Sequence, residues 1–244
     1  MSFLFSAEIA DTNWGCSFSE LDVATTHPQI KICFVRVSDL VAFANELIHL
    51  VHDNSWMAKL DKGVQRQYDF TVKETAAILI DIFRHTVGVG KIAADFGELM
   101  VSVGSARALE KVLGHIKVPL AELWKPQAKQ NEGFDFHTTC TGDLINFGEA
   151  KYSAKSNPHG LAITQVGEFL AAEKHLRDRA HLVNLVNPVS IDNLDQDRFG
   201  VVAAFSVNSS NPIQILKNAA QSAENLMKNK KLSGLYLVGV ADEC

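Results

Sequence analysis

Glu149 stands two residues before Lys151, the one place in the chain where an acid precedes a lysine at that spacing. In a β-strand, side chains two apart leave the same face roughly 6.5–7 Å from each other, so this carboxylate and this ammonium would flank one site. The run Cys140-Thr141-Gly142-Asp143 supplies turn chemistry, and a hairpin roughly symmetric about Gly142 sets Asp135 opposite Glu149, each seven residues from that glycine. Their Cβ atoms would then be about 4.5–5.5 Å apart. A one-residue bulge would turn one of them to the other face. Two carboxylates this close repel unless a proton or a cation lies between them, and Mg²⁺ characteristically takes one or two protein carboxylates plus water and phosphate oxygens. Mg²⁺, with Mn²⁺ as a substitute, is therefore the expected cofactor, and the Ala150 carbonyl is a further expected ligand. Such an ion polarises a phosphate and acidifies a bound water, while Lys151 orients that water or balances charge. The chemistry implied is hydrolysis of a phosphodiester.

Other residues bear on this group. Glu98, in Phe96-Gly97-Glu98-Leu99, interrupts the apolar stripe of a helix and is either a third metal ligand or a solvated side chain. Gln165 and Lys155, both shortly after the Glu-Ala-Lys segment, are candidates for substrate contact; the plainer reading makes them surface residues. Gly88-Val89-Gly90-Lys91 does not form a phosphate-binding loop, because that motif needs Gly at 85 and Ser or Thr at 92, where His85 and Ile92 stand. His137 and Cys140 flank a turn with no oxyanion donor in view, so thiol catalysis is set aside. The four cysteines form no Cys-x-x-Cys pair and read as reduced thiols, and the nine histidines lack metal-ligand spacing.

The elements that must position these residues follow from apolar periodicity. Strands are predicted at 3–9 and 30–37, a helix over 38–52 with Ser38 as its N-cap, and another over 71–85. From Lys91 a helix runs through Phe96, Leu99, Met100, Val103, Leu109 and Leu113, weakened by Gly97 and Gly104. Strands are then predicted at 116–124, 133–138 and 144–152, a long helix over 161–186, a loop over 187–197, a strand at 199–207, a helix over 212–229 opened by a proline, and a last strand at 234–240. The expected organisation is an α/β protein. Residues 1–90 form a mixed, mainly helical extension packed on a core of 91–244, in which a central mixed sheet is flanked by helices.

With 47% hydrophobic and 21% charged residues the composition is that of an ordinary globular protein, and no apolar run reaches the length of roughly 20 residues that spans a membrane. A cytoplasmic location is expected. The net charge of −5 argues against an autonomous polyanion binder, leaving Lys125/Lys129, Lys151/Lys155 and Lys174/Arg177/Arg179 as local basic groups.

An Asp before a hairpin, then Glu-x-Lys, with a Glu-bearing helix ahead and a Gln-bearing helix behind, resembles the PD-(D/E)XK nuclease superfamily. The likeness lies in the second half of the chain, where the order α-β-β-β-α-β over 91–207 is similar to the restriction-endonuclease-like core. Within it, Phe96-Gly97-Glu98-Leu99, Gly133-Phe134-Asp135 and Phe147-Gly148-Glu149-Ala150-Lys151-Tyr152 resemble the HamA-type nuclease subunit of Hachiman antiphage systems. Phe134 occupies the position where the superfamily's name places a proline. The resemblance implies a DNA nuclease with Asp135, Glu149 and Glu98 as metal ligands, Lys151 as catalytic lysine, and a superfamily 2-type helicase subunit as partner. That partner would supply most phosphate contacts for an acidic chain. Two other readings are a non-catalytic partner-binding module on the same fold and an RNA-directed nuclease.

Overall fold

The structure is a computed structural model and describes residues 4–22, 25, 27–89, 92–125 and 133–243; Phe3, Lys91, Lys129 and Cys244 lie outside them. Strands β1 (Ile9–Asp11), β2 (Cys16–Glu20) and β3 (Ile30–Val37) open the chain. Helices α1 (Leu40–His52), α2 (Lys62–Val89) and α3 (Ala94–Leu113) follow, with a 3₁₀ turn at Ser55–Lys59. Next come β4 (Ile116–Lys117), α4 (Ala121–Trp124), β5 (Phe136–Thr139) and β6 (Ile145–Lys151). The chain ends with α5 (His159–Ala171), α6 (Lys174–Leu182), α7 (Pro188–Leu194), β7 (Gly200–Ser206), α8 (Pro212–Asn229) and β8 (Gly234–Asp242).

Among the described residues the strands form one mixed eight-stranded sheet in the order β1-β2-β3-β8-β7-β6-β5-β4. The middle pairs β3–β8, β8–β7 and β7–β6 are parallel and the outer ones antiparallel. Parallel strands are covered on both faces, and β7 accordingly reads Gly-Val-Val-Ala-Ala-Phe-Ser with every residue buried. The sheet runs across residue 90: β3 of the first segment pairs with β8 of the second, residue for residue from Ile30–Leu235 to Val37–Asp242.

Helix α3 crosses one face of the sheet, touching β2, β3, β5, β6, β7 and β8, while α5 and α8 cover the other. Helix α2 packs against α3, so α3 is buried on most sides, with the small residues Ser102, Gly104 and Ser105 among its buried positions. A helix buried all round has no single apolar stripe, which is why its periodicity is weak in the sequence. No helix among the described residues is long and apolar enough to cross a membrane.

Several elements differ from expectation for local reasons. The first strand lies at Ile9–Asp11, and Phe5 makes only an isolated bridge to Leu21. Asp39 rather than Ser38 caps α1, its side chain accepting the Ala42 N–H. The strand predicted at 116–124 stops at Lys117, because Pro119 has no N–H for a ladder, and Ala121–Trp124 coils into a helical turn. The helix predicted over 161–186 breaks at Glu173, which takes a left-handed φ of 53°. The loop predicted over 187–197 contains α7, capped by the Asn187 side chain with Pro188 in its first turn.

Candidate active site

The hairpin β5–β6 pairs Phe136 with Gly148, His137 with Phe147, Thr138 with Asn146 and Thr139 with Ile145, the register symmetric about Gly142. Its turn closes through Cys140 N–H to Leu144 O and Asp143 N–H to Cys140 O, both 3.0 Å. Asp143 sits at φ 54°, and Asn193 of α7 donates to its carbonyl at 2.9 Å, so this acid belongs to the turn. A three-residue loop ending on a left-handed residue is a common hairpin closure.

Asp135 precedes β5 at a bend. Its N–H donates to the Gly148 carbonyl at 2.8 Å, the residue already paired with Phe136. Because β5 begins only at Phe136 while β6 runs on to Lys151, Ala150 has no strand beside it on that flank. The Asp135 carboxylate fills the gap, accepting the Ala150 N–H at 2.7 Å. On that flank Ala150 is a local edge position beyond the end of β5, and the group of Ala150 that meets Asp135 is its amide.

Glu149 and Lys151 leave β6 on one face and meet, Nζ to Oε1, at 2.7 Å. Glu149 is 1% exposed, and its second oxygen, Oε2, is buried with no hydrogen-bond partner. Burial first, then the Asp135 charge, push its acid up to about 8 against the opposing pull of Lys151. Asp135 is likewise raised by burial, opposed by the Ala150 N–H and by Lys151 and Lys125. Lys151 is lowered by burial, but Glu149, Asp135 and Glu98 outweigh that and hold it charged. These groups are one electrostatic unit.

Glu98 is exposed on α3, yet its carboxyl is raised by partial burial, with Lys151 opposing and Asp135 and Asp95 adding to the rise, so it faces the same unit. Gly97 makes this approach feasible: a Cβ there would lie 2.3 Å from the ring of Tyr152, the residue that follows the Glu-Ala-Lys segment. Gln165 is half-buried on α5, which packs on β6 and β7, and Lys155 is exposed in the loop between β6 and α5 with its N–H on Ser153 Oγ. Among the described residues no hydrogen bond or ion pair joins either to the Asp135–Glu149–Lys151 group. His137 and Cys140 are apart in role as well: the His137 Nε2 is held by Asp178 at 2.9 Å, whereas Cys140 closes the turn.

One acid near the site is invisible to spacing arguments. Glu122, on α4, has a buried Oε2 without a partner and an acid pushed up to about 7, by burial first and with Asp135 adding to it. Its signal in the sequence is an acid embedded in the apolar run Leu120 to Trp124.

Among the described residues no three of His, Cys, Asp and Glu are gathered tightly enough to hold a metal ion as they stand. One Glu149 oxygen is held by Lys151 and one Asp135 oxygen by the Ala150 amide. What fits the group to a hard divalent cation is its all-oxygen donor set together with the buried, unpartnered Glu149 Oε2. Comparison with protein-family models, curated proteins and solved structures finds no match to this chain.

Proposed function

We propose that the chain is a metal-dependent nuclease that cuts DNA phosphodiester bonds, built on a restriction-endonuclease-like core from α3 to β7. The observation that carries this reading is Glu149 Oε2, a carboxylate oxygen buried without a partner beside Asp135 and Lys151. A fold does not retain a buried orphan acid cheaply, and such groups concentrate where chemistry needs them. Asp135, Glu149, the Ala150 carbonyl and Glu98 would hold Mg²⁺ or Mn²⁺, which when bound supplies Lewis-acid polarisation of the phosphate and an acidified water. Lys151 holds its positive charge against burial and orients the attacking water or balances the charge that grows on the phosphate. Gln165 and Lys155 lie on elements leaving the site and serve as substrate contacts. In this reading the chain is the effector of an antiphage defence complex, with a helicase subunit bringing the DNA.

The second reading, a non-catalytic partner-binding module, draws support from the same bonds: Glu149–Lys151 and Asp135–Ala150 satisfy much of the group internally. Two measurements separate them. Plasmid and linear DNA are incubated with Mg²⁺ and the protein, alone and with its helicase; the parent is expected to degrade DNA, and Glu149→Gln or Lys151→Met to lose at least about a hundredfold in rate. Mg²⁺ or Mn²⁺ should also raise the Tm of the parent but not of Asp135→Asn, since an ion bound only by the folded state stabilises it. Equal cleavage by the Glu149→Gln protein would end the catalytic reading.

A further inference from the structure

Asp135 does not sit in a strand, so something other than a ladder must aim it. Asp178, on α6 and 4% exposed, accepts hydrogen bonds from His137 Nε2 at 2.9 Å, from the Lys125 ammonium at 3.1 Å and from the Phe134 N–H at 3.3 Å. Lys125 in turn donates to the Phe134 carbonyl. The peptide unit joining Phe134 to Asp135 is therefore bound at both ends: its carbonyl by Lys125, its N–H by the Gly148 carbonyl at 2.8 Å. Gly133 is what lets Asp178 and Lys125 close so tightly on this segment. A Cβ there would lie 2.4 Å from Asp178 Oδ1 and 2.7 Å from Lys125 Nζ.

We infer that Asp178, acting through Lys125 and the Phe134 backbone, is the positioning residue that aims the Asp135 carboxylate at the Ala150 amide; the inference rests on the reading of Asp135 as a site residue. With the Phe134–Asp135 peptide plane fixed, only the Asp135 φ and its side-chain torsions remain to place the carboxylate. Bonds to an ionised acceptor are the strong ones, and three donors converge on this buried carboxylate, two of them from residues flanking Asp135 in the sequence. His137, one strand residue beyond, ties the same carboxylate to β5, so the clamp spans both sides of Asp135. Residues that orient a metal ligand without touching the ion typically change metal affinity by about ten- to a hundredfold when altered.

The test compares Asp178→Asn and Lys125→Met with Ile32→Val, a buried substitution at the far side of the sheet, under conditions that equalise their distance from Tm. Amide hydrogen exchange of Ala150 reports the Asp135 contact directly and needs neither metal nor DNA. Mn²⁺ titration of the full chain reports the site. Asp178→Asn and Lys125→Met should each speed Ala150 exchange by about tenfold or more relative to Ile32→Val, and weaken Mn²⁺ binding by about ten- to a hundredfold. Ala150 exchange that stays level with the Ile32→Val protein overturns the inference, whatever the metal result. Faster Ala150 exchange in a chain whose parent binds no Mn²⁺ leaves the positioning role standing and sinks the metal reading instead. If Asp178→Asn does not fold, Lys125→Met carries both measurements, since that side chain is partly exposed.

Discussion

Single residues in this molecule are set by what surrounds their charge. Glu149 and Glu122 are acids kept where water cannot reach one of their oxygens, while His115 is a base treated the same way. His115 is 5% exposed, its Nδ1 lies 3.0 Å from Thr138 Oγ1, and burial pushes its pKa from 6.5 down to about 4. The folded protein therefore holds it neutral while the unfolded chain takes up a proton below about 6.5. The stability tied to this neutrality is complete above that pH and is lost as pH falls toward 4. Denaturant unfolding of the parent at pH 7.5 and pH 5 should differ by on the order of 2 kcal/mol more than in His115→Gln; equal differences would mean that His115 titrates normally. The hairpin register was legible because it is arithmetic about its turn, and Gly142 marked the centre, but Asp135 lies before the ladder begins and is not among its cross-strand partners. Glu122 and Asp178 were not legible, since they come from helices whose packing against the hairpin no local spacing encodes.

Elements succeed or fail here at their junctions. The contact of α3 with the end of β6 depends on Gly97 lying under the Tyr152 ring, with no room for a methyl group. Gly97→Ala should destabilise the protein by about 1–3 kcal/mol, the usual cost of overfilling a packed contact, although alanine is the better helix former. Because the next residue is Glu98, the same substitution should lower any metal affinity of the site more than a matched loss of stability elsewhere does. Thermal unfolding together with Mn²⁺ titration checks both; an unchanged or raised Tm would show that the Tyr152 ring simply swings away. The boundaries of β3 and α8 were readable because each has a plain signal, an apolar run in one and an Asn-Pro start in the other. The break between α5 and α6 was not, because the left-handed residue is Glu173 and neither Gly nor Asn marks the stop. The short β2, Cys-Ser-Phe-Ser-Glu, did alternate as a strand should, but it is too brief to stand out until β3 is beside it.

At the scale of the whole molecule, the sheet and the charge make separate statements. That residues 9–37 extend the same sheet as the hairpin follows from the β3–β8 pairing, a contact across some two hundred residues that no sequence window contains. The charge was legible from the start, and the structure sharpens its meaning. The chain carries −5, and several basic residues that could have met phosphate are engaged within it: Lys125 with Asp178, Lys151 with Glu149, Arg179 with Asp195, and Lys174 over the Phe169 ring. A protein that neutralises few phosphates releases few counterions, so its affinity for DNA is low and changes little with salt. Anisotropy titrations of the isolated chain against a short labelled duplex should give a Kd weaker than about 10 µM near 150 mM salt, with a shallow slope of log affinity on log salt. A Kd tighter than about 1 µM, with a slope corresponding to five or more phosphates, would remove the need for a DNA-loading partner. On the proposed reading, weak binding by the chain alone alongside faster cutting in the presence of a helicase is the expected combination, since the field of a chain carrying −5 opposes the approach of DNA to the free subunit.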